Sequence, residues 1–244
     1  MKELDLKMTP LELPFKGKRN YFHGTDLLPA LLQLAAAPNG STQTAQEPLV
    51  QTISVQFHRL ATRPVHATWV DADELQALRS ANTLVALLSL RAPERHLAVT
   101  ERSQAAVQTT AGAEAQAEAE AHAEAEAAAQ ALITRVDWDE AATVQNAYCG
   151  PEGHWHLAVP RGSLVQLFEH VIALNKQVLN TQFGPQDWLW ARVDLPNWRP
   201  PQSQGTLEIA FLRQIRGSVF VSEARFDKVP LASIYFAKKT PATA

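Results

Sequence analysis

Residues 161–179 read RGSLVQLFEHVIALNKQVL. Leu164, Val165, Leu167, Phe168, Val171, Ile172 and Leu174 would cover most sides of a helix. A helix that apolar is predicted to be buried nearly all round. Ser163 and Gln166 have capping-box spacing, in which the serine caps a backbone N–H and the glutamine reaches back. An earlier stretch, HGTDLLPALLQLAAA at 23–37, has the same form. Gly24 stands where Gly162 does, and Thr25 where Ser163 does. Pro29 is expected in the first turn, where a missing N–H costs little.

Strand patterns follow each helix. TISVQFHRL from Thr52 aligns with TLEIAFLRQ from Thr206, so that Ile53, Val55 and Phe57 match Leu207, Ile209 and Phe211. The alternation has period two, which puts each apolar set on one face of a strand. RPVHATWV (63–70) and GSVFVSEAR (217–225) come next. Each reads as a second strand after a short turn, so each half is expected to hold a hairpin. NTLVALLSL from Asn82 and PLASIYFAKK from Pro230 complete the sets. The register is imperfect: QDWLWARVDL, from Gln186, reads as an additional strand of the second half, where the first has the loop-like PNGSTQTAQEP. Between the halves, Ala111–Ala131 reads AGAEAQAEAEAHAEAEAAAQA. That run favours helix but lacks an apolar stripe, so it is expected to be a solvated helix or a linker. The expected units are therefore 1–105, an Ala/Glu-rich linker at 106–132, and 133–244, related by internal duplication.

Composition narrows the function classes. The chain has 244 residues, 46% hydrophobic and 19% charged, with a formal net charge of −3. No basic field invites nucleic acid or an anionic membrane. No stretch approaches the ~18 apolar residues of a membrane span. The N-terminus is charged and lacks the apolar region of a signal peptide. The single cysteine, Cys149, excludes an internal disulfide, and a cytoplasmic location is the expectation. Walker A and dinucleotide glycine fingerprints are absent. His154 and His156 would share a strand face as a metal pair, but no third ligand accompanies them, so no metal site is expected. Trp188, Trp190 and Trp198 serve either core packing or the wall of a ligand tunnel.

A lead-in strand, a buried helix and an antiparallel set, occurring twice, resemble the hotdog fold, in which a sheet wraps a long central helix. The fold class this implies is α+β, a double hotdog whose halves are related by a pseudo-twofold. The rival is a single mixed α+β domain with the same elements and no such axis. FHGTDLLPALL also resembles the His-Gly-Gly motif of hotdog acyl thioesterases, which places an acid eight residues after the histidine. The first half keeps His23 but has Leu31 at the acid position; the second has Arg161 for the histidine but carries Glu169.

The resemblance implies a composite site with His23 and Glu169 as acid/base groups. Gly24 and Thr25 would hold the thioester oxygen, and Arg161, with Gly162 and Ser163, would bind a phosphate or carboxylate. The implied activity is hydrolysis of an acyl-CoA or acyl-carrier-protein thioester, or dehydration of a 3-hydroxyacyl thioester, without a cofactor. The alternative is a non-catalytic module that binds an acyl chain or a protein. The resemblance leaves open whether the tandem chain forms a homodimer. Taken without it, His23 satisfies a turn, Thr25 and Asp26 cap a helix, Glu169 belongs to a solvent-facing strip, and Arg161 is a surface charge.

Overall fold

The structure is a computed structural model that describes residues 8–36, 52–91, 94–101, 135–201 and 203–239. The Ala/Glu-rich run lies outside the described residues. The N-terminal part contains β1 (Thr9–Leu11), β2 (Phe15–Lys16), α1 (Gly24–Ala36), β3 (Ile53–Phe57), β4 (Val65–Val70), α2 (Ala72–Ser80), β5 (Leu84–Arg91) and β6 (Glu94–Glu101). The C-terminal part contains β7 (Arg135–Val136), α3 (Glu140–Thr143), β8 (Tyr148–Cys149), β9 (Trp155–Val159), α4 (Leu164–Phe183), β10 (Trp188–Leu195), β11 (Gly205–Ile215), β12 (Val219–Phe226) and β13 (Val229–Lys238).

Eleven strands form one sheet in the order β1-β4-β6-β5-β3-β10-β13-β12-β11-β9-β8, and β2 pairs separately with β7. Every pair in the large sheet is antiparallel. The two parts meet at β3 and β10, where Val55 faces Val193 and Ile53 faces Leu195. All four side chains are buried. Helices α1 and α4 pack on each other, and their apolar faces join the inward residues of the sheet in one continuous core.

The reading of 161–179 holds. Helix α4 starts after Ser163, whose hydroxyl accepts from Gln166 N while Gln166 Oε1 accepts from Ser163 N. Pro29 is displaced from its expected place. Helix α1 begins at Gly24 and the His23 carbonyl accepts from Asp26 N and Leu27 N, so Pro29 lies in the second turn. It therefore lacks an N–H that would otherwise bond the Thr25 carbonyl.

The strand matching needs correction. The meander of the second part forms as expected, β11–β12–β13, and Asp227 and Lys228 both take positive φ in the last turn. That is the two-residue hairpin geometry whose twist suits the strands. No matching hairpin joins β3 to β4: β3 pairs with β5 and β10, and β4 with β1 and β6. Strands β4 and β5 run in the same direction on either side of β6, so their connection must cross over the sheet. It does so through α2, closed by an Asp71–Glu74 capping box, with Leu75 packed on Leu84, Leu87 and Ala98 in a second small core. That cover explains why β5 is apolar on both faces. The place of β3, directly after its helix and at the seam, is matched by β10. The segment read as an extra strand is thus the partner of β3. Alternation had matched β3 to β11 because period two reports which face is apolar and not which strand is the neighbour.

Candidate functional site

Strand β2 brings Lys16 under the start of α1, where the side chain is 3% exposed. A buried ammonium is tolerated only with counter-ions and acceptors. Its Nζ donates to Thr25 Oγ1 at 2.8 Å and to Glu169 Oε1 at 2.6 Å, and lies 2.9 Å from Asp26 Oδ1. Thr25 and Asp26 come from the first turn of α1 and Glu169 from α4, so this cluster ties the two helices together. Burial raises the pKa of Asp26, with Lys16 acting against that rise. Asp26 Oδ2 accepts no hydrogen bond among the described residues.

His23, the residue preceding α1, is 8% exposed. Its Nδ1 lies 2.9 Å from Thr25 Oγ1, and its Nε2 meets Arg19 Nη1. Arginine can only donate, so Nε2 accepts and the proton sits on Nδ1, donated to Thr25. Burial, reinforced by the charges of Arg19, Lys176 and Lys16, lowers the His23 pKa to about 2. The imidazole is neutral and both nitrogens are engaged. His23 and Glu169 thus belong to one chain of contacts, with Thr25 and Lys16 between them.

Arg19 is held by more than His23. Its guanidinium lies 5.2 Å from the Trp138 ring centroid, and Nη2 lies 3.3 Å from Glu140 Oε2. Glu140, on α3, also meets Lys176 of α4, with Nζ 2.7 Å from Oε1. Burial lowers the Lys176 pKa, and Glu140 opposes the shift.

Beside these groups opens a cleft of about 960 Å³ between the two parts. Leu27, Phe57, Ile172, Trp188 and Trp190 supply apolar wall; Arg19, His23, Glu140, Lys176 and Asn180 supply polar wall. Gly24 lies on the wall, and a Cβ there would stand 2.8 Å from Trp190 Cε3. The start of α1 is thus roofed by Trp190, whose ring centroid is 4.7 Å from that of Phe57. The tryptophan and its strand come from one part, the helix and Phe57 from the other.

Of the residues expected from sequence, His23 and Gly24 line the cleft. Thr25 is fully buried behind them, and Glu169 lies on the Lys16 side. Arg161, Gly162 and Ser163 are exposed at the start of α4, away from the cleft lining. Lys16, Arg19, Glu140 and Lys176 were not anticipated. Only Lys176 left a signal, as the one Lys or Arg of helix α4. His154 bonds Glu208 at 2.9 Å at the far edge of the sheet, and Cys149 is exposed there.

No known family profile matches the chain, and no curated protein does. Solved structures do. The tesB protein of Mycobacterium avium subs paratuberculosis is 10% identical with a TM-score of 0.46, over 93% of this chain and 91% of that one. The 12:0-ACP thioesterase from Umbellularia californica is 8% identical with a TM-score of 0.45, over 95% and 96%. The dehydratase domain of PpsC from Mycobacterium tuberculosis, in complex with C12:1-CoA, is 10% identical with a TM-score of 0.44, over 90% and 85%. The chain's own architecture is a large antiparallel sheet carrying two packed helices.

Proposed function

We propose that the chain is a double hotdog, with units at 1–105 and 133–244 related by a pseudo-twofold through the β3–β10 seam, and that its cleft takes an acyl thioester of coenzyme A or a carrier protein. The observation that carries this reading is the cleft itself. It is walled by both parts, apolar over much of its lining, and reaches the start of α1 at His23 and Gly24. A ligand site is expected to be concave and largely apolar, with a few convergent polar groups. Gly24, on the cleft wall, precedes the first hydrogen bonds of α1 at Asp26 N and Leu27 N, so its N–H is the donor a thioester oxygen gaining charge would meet.

The reaction that fits best is hydrolysis. Dehydration needs, besides a base, an acid that protonates the leaving hydroxyl, and Glu169 is held by Lys16 outside the cleft lining. In hydrolysis, water adds to the thioester carbon, the carbonyl oxygen becomes an oxyanion, and the C–S bond breaks to release a thiol and a carboxylic acid. His23 serves as the proton acceptor once Arg19 turns to the bound ligand, and Glu169 sets the charge of the chain through Lys16 and Thr25. Arg161, Gly162 and Ser163 stand at the second helix start as a site for the carrier's phosphate.

A second reading has a specific observation in its favour. Both His23 nitrogens and Glu169 Oε1 are engaged within the protein, as they would be in a module that binds an acyl chain without reacting. A panel of acyl-CoAs, with 3-hydroxyacyl-CoA included, separates the two. Hydrolysis that falls by roughly a hundredfold or more in His23→Gln supports the enzyme. Tight binding with no turnover supports the module. A chain that neither binds nor turns over any of them sinks both.

A further inference from the structure

The cleft wall carries four cations, Arg19, Arg59, Lys176 and Lys239, against two carboxylates, Glu140 and Asp187. This excess occurs in a chain whose formal net charge is −3. Arg59 is answered from outside the lining by Glu101 at 2.8 Å, and Lys239 is more than half exposed. The excess that matters is therefore at Arg19 and Lys176. These two cations share one carboxylate, Glu140, while on the other side of His23 the single cation Lys16 has two, Asp26 and Glu169. Positive charge is left over on the cleft side of α1 and negative charge behind it.

Glu140 stands on a helix of only four residues. Its neighbours Ala141 and Ala142 are exposed, and Val144 is the buried apolar anchor of that segment. The carboxylate is thus presented to two cations by a light support, in the geometry that a ligand's carboxylate would adopt. A guanidinium and an ammonium in a partly desolvated cleft favour such a group by charge-assisted hydrogen bonds.

We propose that Arg19 and Lys176 form a carboxylate-binding site inside the cleft, and that Glu140 is its built-in occupant, replaced when a ligand brings its own carboxylate. Because Arg19 also caps His23 Nε2, the bound carboxylate lies near the start of α1 and hence near the thioester. The substrate class this assigns is an acyl thioester with a short acyl group ending in a carboxylate. That assignment rests on the thioester reading above; the carboxylate site itself does not.

The test is calorimetric titration of the full-length protein with succinyl-CoA, butyryl-CoA and free succinate. The two thioesters have equal chain length and the same phosphates, so only the terminal carboxylate differs. Succinyl-CoA is expected to bind about tenfold or more tightly than butyryl-CoA, the scale of one or two charged hydrogen bonds. Arg19→Gln and Lys176→Gln should each erase that preference, so that the two thioesters bind alike. Glu140→Gln should tighten succinyl-CoA severalfold and leave butyryl-CoA unchanged. Equal binding of the two thioesters, a preference that survives both cation variants, or a Glu140→Gln variant that weakens both ligands alike would overturn the site. If both thioesters fail to bind but succinate binds in an Arg19- and Lys176-dependent way, the carboxylate site stands and the thioester reading falls. Circular dichroism and a thermal melt check each variant; if a cation variant does not fold, Glu140→Gln and succinate competition decide.

Discussion

His23 is a histidine that folding holds neutral, and that has a measurable consequence. Its pKa falls from 6.5 to about 2, mainly through burial. Between those values the unfolded chain binds a proton that the folded chain refuses. Stability is therefore fully present above pH 6.5 and is lost as pH falls toward 2, by up to about 1.4 kcal/mol per unit from this group. His58, also lowered by burial, acts in the same direction, whereas raised Asp26 contributes stability that is lost as pH rises. Comparing His23→Gln with the wild type cancels both. Urea denaturation from pH 7 to pH 4 should show the steeper acid loss only in the wild type; parallel slopes would show that the ring is protonated in the fold.

Lys16 presents the reverse case, a buried cation on which two carboxylates depend. Lys16→Met leaves Asp26 and Glu169 facing each other without a counter-charge. Removing one partner of a buried ion cluster costs about 3–5 kcal/mol. The variant is expected to lose that much in chemical denaturation, and Asp26→Asn in the same chain should restore part of it. An unchanged midpoint would mean that the cluster is solvated.

Among the elements, the start of α1 is set by the strand across from it. Alanine at an ordinary early helix position would gain about 0.5–1 kcal/mol over glycine. At Gly24 the added methyl would meet Trp190 Cε3 at 2.8 Å, and forcing a packed ring aside costs about 1–3 kcal/mol. Gly24→Ala should therefore destabilise, while Gly24→Ala with Trp190→Leu should be at least as stable as Trp190→Leu alone. A thermal-melt double-mutant cycle with no coupling would place the tryptophan elsewhere.

The same scale shows what was legible in the residues. Helix α4 was readable because its apolar run and its capping box are local signals, α1 because of its apolar run, and the β11–β12–β13 meander because its turns are short. The Asp71–Glu74 box was equally visible, yet Arg63–Val70 was joined to β3 as a hairpin. Pairing between β3 and β10 spans the whole central region of the chain, and alternation carries no information on such a partner. The site was half legible for a similar reason. His23 and Gly24 sit at a helix start that the sequence marks, whereas Lys16, Arg19 and Glu140 reach it from short or irregular segments that leave no periodic trace.

At the scale of the molecule, the seam decides whether there are two bodies or one. It consists of a four-residue ladder between β3 and β10, the packing of α1 on α4, and ion pairs that cross from Lys16 to Glu169 and from Arg19 to Glu140. The facing side chains Ile53, Val55, Val193 and Leu195 are at most 5% exposed, so separating the parts would open a core to water and expose two strand edges. All of these contacts join a residue at or before 101 to a residue at or after 135. A chain carrying a protease site within 102–134 should therefore stay together after cleavage, eluting from a sizing column as one species with an almost unchanged circular dichroism spectrum. Val193→Asp puts a charge into the ladder opposite Val55, where it has no partner, and the cost of an unpaired buried charge is several kcal/mol. In that variant the cleaved chain should come apart or unfold. Clean separation of the wild-type fragments into two folded species would instead show that each part completes its own core, and that the cleft between them is a gap that opens freely.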